Sequence, residues 1–309
     1  MTGSATLKRN RTRTLDIAFE DSGPGDGIPV VLLHGFPYDP RAYDAGVASL
    51  VGAGCRAIVP YLRGFGPTRF LAADAPRTGQ QAALGQDLLD LLDAIGLRQA
   101  ILVGYDWGGR AACIVAALWP ERVRGLVSIG GYNIQDIAGS VAPQPPEQEY
   151  RYWYQHYFQT ERGRAGLQAH RRDFCRLLWR LWSPHWRFDD ATYDRTAASF
   201  DNPDFVEVVI HSYRHRFGSA PGDPALEAIE QRLAAQPRIR VPTIALHGGG
   251  DGVTPPEGSV DHARFFTGLF ERRLIPMAGH NLPQEMPGPV IEAVLALLAM
   301  EGYRTAPQS

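Results

Sequence analysis

Residues 101–120, ILVGYDWGGRAACIVAALWP, decide how the rest of the chain is read. An apolar run passes through Gly104 to Asp106, and a helical pattern takes over across 107–119. A buried strand, a tight glycine turn and a helix make the form G-x-Nuc-x-G, here Gly104-Tyr105-Asp106-Trp107-Gly108. Glycines flank such a turn because the residue at its tip needs strained backbone and side chains beside it would clash. The helix N-terminus favours an anion, so Asp106 is expected to be ionised at neutral pH. The plain alternative is that Asp106 only caps the helix.

Working outward, strands and helices alternate. TLDIAFEDSG alternates apolar and polar residues and is expected to be an antiparallel edge strand; PVVLLHG and CRAIVPY are continuous apolar runs, as in strands covered on both faces. GQQAALGQDLLDLLDAIGL has helical periodicity and stops at Gly96, and VRGLVSIGG is a further strand. From Tyr132 to Arg238 no buried strand is evident, and the segment, rich in Trp, Tyr, Arg and His, reads as several short helices. Alternation resumes with PTIALHG, a helix near 257–267, the strand ERRLIPMAG and a final helix PVIEAVLALLAM. The order implies an α/β fold with a mostly parallel, doubly wound sheet. The expected division is core 1–131, helical cap 132–238 and core 239–309, with the cap over the carboxyl ends of the strands, where such sheets bind ligands.

Two further segments bear on Asp106. LHGGGDGVTPP places Asp251 just after a core strand, and MAGHNLPQE places His280 in a loop after the next one. Nucleophile, acid, histidine is the chain order of a hydrolytic triad on this kind of sheet. LLHGFPYDPRAYD follows the first buried strand, so the backbone amides of Phe36 and Trp107 are the expected oxyanion hole. His34 reads as structural, because His280 fits the base position better.

Composition narrows the class. The 309 residues suffice for a large α/β domain with an inserted subdomain. A net charge of −2 exerts no bulk pull on nucleic acid or an anionic membrane. The basic N-terminus lacks the apolar run of a secretory signal, and no stretch approaches the roughly 20 apolar residues of a membrane span. Cys55, Cys113 and Cys175 are expected to be buried free thiols, with a cytoplasmic location as the default. His211, His215 and His262 have no recognisable metal-ligand spacing. The arginines Arg162, Arg164, Arg171, Arg172, Arg176 and Arg180 are read as solvated helix faces.

HGFP at 34–37, RGFG at 63–66, G-x-D-W-G-G at the elbow, the late Asp251 and Gly279-His280 occur in the order of the α/β-hydrolases with an Asp nucleophile. Across nearly its whole length the chain resembles these enzymes, and among them the epoxide hydrolases. It departs from their usual pattern at Tyr105, often His, and at Tyr38, often acidic or amide. The resemblance implies two cap tyrosines as proton donors: YQHYFQ is similar to the first lid-tyrosine motif, giving Tyr154, and HSYRHRFG to the second, giving Tyr213. It also implies a cis Phe36–Pro37 peptide, a substrate pocket including Phe36, Pro37, Trp107 and Trp153, and no metal or organic cofactor. A small-molecule epoxide, apolar or aromatic, is the expected substrate, with the protein a monomer or homodimer.

A carboxylate at the elbow answers a chemical need. Serine attacking an sp³ carbon would form an ether that water does not cleave, whereas a carboxylate forms an ester that water can still hydrolyse. His280, oriented by Asp251, would activate that water. Opening an epoxide or displacing a halide both fit. The alternative reading is a hydrolytic dehalogenase with Trp107 and Trp153 as halide donors. Haloacetate dehalogenases resemble the chain less, since they usually carry an arginine where Trp107 stands, and His-Trp where Tyr154-Gln155 stands. A non-catalytic ligand-binding protein on the same fold is the remaining possibility.

Overall fold

The computed structural model describes residues 5–305. Nine strands form one sheet: β1 (Thr6–Arg11), β2 (Leu15–Ser22), β3 (Ile28–Leu33), β4 (Cys55–Pro60), β5 (Arg69–Phe70), β6 (Ala100–Tyr105), β7 (Val123–Ile129), β8 (Thr243–Gly248) and β9 (Phe270–Ile275). Their order is β1-β2-β4-β3-β6-β7-β8-β9, with the short β5 beside β2. From β4 to β9 every pairing is parallel. β6 is buried at all six positions, as its unbroken apolar run requires.

TLDIAFEDSG is antiparallel but is not the edge. β1 pairs outside it, from Thr6 with Asp21 to Arg11 with Asp16. β1 (TLKRNR) is exposed almost throughout and so shows no alternation; its charges pair across the ladder, Lys8 with Asp21 and Arg9 with Asp16. A cationic strand of this kind discourages further strand pairing.

The core helices are α1 (Asp44–Gly52), α2 (Gln81–Ala94) and α3 (Asp106–Leu118). α2 ends just before Gly96, whose φ of +70° only glycine adopts readily. Between β7 and β8 the described residues contain no strand, apart from one isolated bridge, Ile239 with Phe266. That interval holds α4 (Pro146–Arg151), α5 (Trp153–Tyr157), α6 (Glu161–Trp182), α7 (Asp190–Ala197), α8 (Phe205–Arg216) and α9 (Glu227–Ala234). The helices are not all short: α6 runs for 22 residues, broken at His170, whose backbone leaves helical geometry (φ −130°, ψ 31°). The expected helix near 257–267 is a 3₁₀ segment, Pro256–Phe265. α10 (Leu282–Glu285) and α11 (Pro287–Thr305) close the fold.

The inserted helices are tied to the core at named points. Trp179 Nε1 donates to the Pro37 carbonyl at 2.8 Å, and the Thr196 and Ser199 hydroxyls donate to buried Asp39. The Phe36 ring lies within 6.5 Å of Phe158, Trp182, Phe205 and Tyr213, all from the insert. Cys55, Cys113 and Cys175 are buried and free. No helix among the described residues is long and apolar enough to cross a membrane.

Candidate active site

Asp106 stands where β6 turns into α3. Its φ is +50°, a left-handed conformation that costs a non-glycine residue on the order of 1–3 kcal/mol. The neighbours permit no side chains: a Cβ on Gly108 would lie 2.2 Å from the Leu33 carbonyl oxygen, and one on Gly35 would lie 2.5 Å from the Asp106 Cβ. Close packing of the two loops therefore brings HGFP onto the elbow. The Phe36 amide donates to Asp106 Oδ1 at 2.9 Å, and the Phe36–Pro37 peptide is cis. Trp107 is the second residue of α3, where a helix leaves its N–H groups without internal acceptors.

His280 lies on the other carboxylate oxygen. Its Nε2 is 3.8 Å from Asp106 Oδ2, and its Nδ1 is 2.7 Å from Asp251 Oδ2. The second oxygen of Asp251 accepts from the Val253 and Thr254 amides at 2.9 and 2.8 Å, which fixes the carboxylate. Thus the tertiary structure assembles Asp106, Asp251 and His280 from three loops.

The charges are strongly coupled. Burial pushes the Asp106 carboxyl up, but Arg110, then His280 and the Phe36 amide, outweigh it and hold the group at about 2. Burial likewise opposes charge on His280, yet Asp251 and Asp106 raise it to about 10. These neighbours favour the carboxylate form of Asp106 and positive charge on His280. His34 behaves differently: burial lowers it to about 4, and its Nε2 accepts from the Leu62 amide, so it is a neutral structural residue.

Tyr154 and Tyr213 are both brought to this place. They are 3% and 1% exposed, with ring centroids 5.3 Å apart, and the Tyr213 ring lies 5.7 Å from Phe36 and 6.4 Å from Trp107. Burial raises both hydroxyls well above the ordinary tyrosine range; for Tyr213 the Asp106 charge adds directly to this. Trp107 is fully buried, and its indole N–H has no protein partner. Trp153 packs on Phe174, lies 6.3 Å from the Tyr154 ring, and lines an outer groove of about 650 Å³ with Tyr150, Trp182 and Gly252. Trp182, which lines that groove, also packs toward the site, its ring 5.2 Å from His280. The cavity at Asp106 itself is about 70 Å³, bounded by Tyr105, Arg110, Asn133, Asp251 and His280 among others.

The sequence offers Arg110, one turn beyond Trp107, only as a weak substitute for a substrate-holding arginine, and it does not single out several other neighbours of the site. Arg110 sits 3.7 Å from Asp106 Oδ2 and is 8% exposed, and its Nη1 has no partner. Burial, then Arg216, lower it to about 10. The i to i+4 spacing from Asp106 was the available signal. The Trp182 carbonyl accepts from both His280 N (3.1 Å) and Gly252 N (2.9 Å), so the end of α6 ties the acid loop to the histidine loop. Glu285 accepts from Ser183 Oγ and from Gly279 N at 2.6 and 2.7 Å, fixing the same junction. Nothing in the local sequence marks these. Of the arginines read as solvated, Arg164, Arg172 and Arg176 pair with Glu207, Asp201 and Asp190 on the surface. Among the described residues no group of three or more His, Cys, Asp or Glu is arranged to hold a metal ion.

Comparison with known proteins agrees with this architecture. A solved protein from Klebsiella pneumoniae subsp. pneumoniae, provisionally named an epoxide hydrolase, is 46% identical, with a TM-score of 0.92 over 94% of this chain and 97% of that one. Epoxide hydrolase B of Mycobacterium tuberculosis is 34% identical over 160 residues, 47% of this chain and 44% of the relative. Epoxide hydrolase 2 of Siraitia grosvenorii is 39% identical over 105 residues, 34% of this chain and 33% of the relative. The chain thus matches less than half the length of these two curated relatives. The alpha/beta hydrolase fold model matches residues 28–285. With a parallel sheet, a strained acidic elbow and a late acid and histidine converging on it, the chain belongs to the alpha/beta hydrolase fold family.

Proposed function

We propose that this protein is an epoxide hydrolase acting on a small-molecule epoxide through a covalent ester of Asp106. One observation supports the reading: buried Tyr154 and Tyr213 pack on each other, and the Tyr213 ring lies 5.7 Å from Phe36, whose amide donates to Asp106, and 6.4 Å from Trp107. Nucleophile and proton donors are what ring opening needs together. The names of the relatives support it.

Asp106 attacks a ring carbon. The carbon–oxygen bond breaks toward the oxygen, which takes a proton from Tyr154 or Tyr213. The negative charge has now moved from Asp106 to a tyrosinate. His280 was raised partly by the Asp106 charge, and esterification removes that cause. The imidazolium therefore gives up its proton more readily, and that proton restores the tyrosine. Neutral His280, oriented by Asp251, next takes a proton from water attacking the ester carbonyl. The Phe36 and Trp107 amides stabilise the oxyanion. The alkoxide leaves with the carboxyl proton as the diol, regenerating the Asp106 carboxylate beside the imidazolium. Phe36, Pro37 and Trp107 form the pocket wall, the helical insert 132–238 acts as the cap, and the outer groove behind Trp182 is the route of entry.

One observation favours a second reading. The unpartnered indole N–H of Trp107 next to the nucleophile suits a departing halide. A single experiment separates the two. His280→Gln, incubated with aryl and alkyl epoxides, haloalkanes and haloacetates, should gain the mass of a whole epoxide on Asp106. A gain equal to a halide substrate less hydrogen halide would make the protein a dehalogenase. A folded variant with no adduct would overturn covalent chemistry at Asp106.

A further inference from the structure

Ring opening moves a negative charge away from Asp106, where Arg110 faces it, toward the cap tyrosines. Catalysis comes from interactions that are stronger after this movement than before it. The groups facing the tyrosines therefore matter most. Tyr154 faces Tyr213, Arg216, Asp106 and Tyr152; Tyr213 faces Asp106, Arg216, Arg110 and Tyr154. Arg110 and Arg216 both act on the two tyrosines, but Arg110 lies against Asp106 at 3.7 Å, whereas Arg216 lies on the tyrosine side.

Its placement is specific. Arg216 lies three residues after Tyr213 on α8, on the same helix face. Its guanidinium carbon sits 5.0 Å from the Tyr213 ring centroid. Nη1 donates to Gln155 Oε1 at 2.8 Å, and Gln155 Nε2 donates to the Tyr154 hydroxyl oxygen at 2.9 Å. Nε and Nη2 reach the Gln135 carbonyl in the amide orientation that satisfies both groups. A guanidinium only donates, so its bond to Gln155 fixes which end of that amide is the carbonyl. The NH₂ end must then donate to Tyr154. With its oxygen already accepting, Tyr154 has its own proton directed elsewhere. Gln155 is 1% exposed, so this is a buried relay and not a surface contact.

We infer that Arg216 and Gln155 are positioning residues for ring opening: Arg216 holds positive charge against both cap tyrosines, and Gln155 transmits it to Tyr154 and sets that hydroxyl as a donor. This rests on the epoxide hydrolase reading. The stabilisation grows as tyrosinate forms, because the Gln155 N–H bond and the cation over the Tyr213 ring both strengthen toward an anion. Arg216 favours both tyrosinates over the neutral hydroxyls, in keeping with this.

The test measures alkylation of Asp106 by styrene oxide in the His280→Gln background, with the saturating rate and the epoxide Kd taken from one concentration series. Arg216→Met is expected to lower the saturating rate roughly tenfold, with Kd changed less than about threefold. Gln155→Leu should do the same to a lesser extent, and Arg216→Lys should recover most of the Arg216→Met loss. Near-ultraviolet circular dichroism reports whether each variant keeps its aromatic packing. A folded Arg216→Met with an unchanged rate would overturn the inference. So would a rate loss matched by the Kd and not relieved in Arg216→Lys, which would mean packing alone. If the His280→Gln protein itself gains no epoxide mass, the functional reading fails first and takes this inference with it.

Discussion

Asp106 and His280 each favour the other's charged form, after Arg110 for Asp106 and after Asp251 for His280. His280 reaches about 10 because Asp251 and Asp106 outweigh the burial that opposes its charge. Removing one of the two carboxylates must lower it. In Asp106→Asn the His280 imidazolium should therefore titrate at least about one unit lower than in the wild type, read by NMR of labelled histidine. An unmoved value would mean that Asp251 alone sets it, and that esterification of Asp106 does not release the base. Asp106→Asn should also lose all turnover, since an amide does not displace the ring oxygen. Asp106 was legible in the sequence because an elbow is local: five consecutive residues encode both the strain and the space around it. Arg110 carries the same kind of local information at one helical turn. Gln155 and Arg216 do not. They are 61 positions apart, and nothing in either segment says that α5 and α8 bring them together.

α6 matters chiefly through its last turn. Its Trp182 carbonyl holds the His280 and Gly252 amides, and Ser183 and Glu285 hold the same junction from below. Burial raises the Glu285 carboxyl, so the group is poised among its donors at some cost. Glu285→Ala should leave Gly279 N–H without its partner and destabilise the fold by about 1–3 kcal/mol. It should also slow ester hydrolysis, because a misplaced base loses rate steeply with small displacements. Thermal unfolding and burst kinetics together check this: a stability loss with an unchanged hydrolysis rate would mean that the clamp holds the fold and not the base. Elements with one apolar face or a wholly apolar core were readable as sequence: β3, β4, β6, β7, β8 and α2 all appear where periodicity put them. β1 was missed because a solvated charged strand has no hydrophobic period. α6 was read as short pieces because its 22 residues combine few buried positions with a break at His170.

Core and insert are joined by Asp39, which is buried and accepts from Thr196, Ser199 and the Arg41 amide. Burial, only partly offset by those donors, raises its carboxyl from 3.8 to about 7. Between these values the native protein holds a proton that the unfolded chain has released. The group's contribution to stability is thus present below its unfolded value and lost as pH rises toward 7. Asp39→Asn lacks this titration. Its stability relative to the wild type should improve from pH 4 to pH 8, followed by urea unfolding; parallel curves would show that Asp39 is ionised throughout. Buried Arg63, in the RGFG segment, binds Asp87 with two hydrogen bonds and the Thr78 carbonyl with a third, tying the loop after β4 to α2.

The fold class, the elbow and the order Asp106, Asp251, His280 were already present in the linear chain, because apolar periodicity and tight turns are properties of neighbouring residues. The resemblance carried by those motifs also pointed to Tyr154 and Tyr213 as proton donors, and it implied the cis Phe36–Pro37 peptide that the fold contains. Folding alone settled which arginines face the site, that Trp153 lines the outer groove, and that the end of α6 holds the loops carrying Asp251 and His280. These depend on packing between segments far apart in sequence, where a single side chain's meaning comes from its partner.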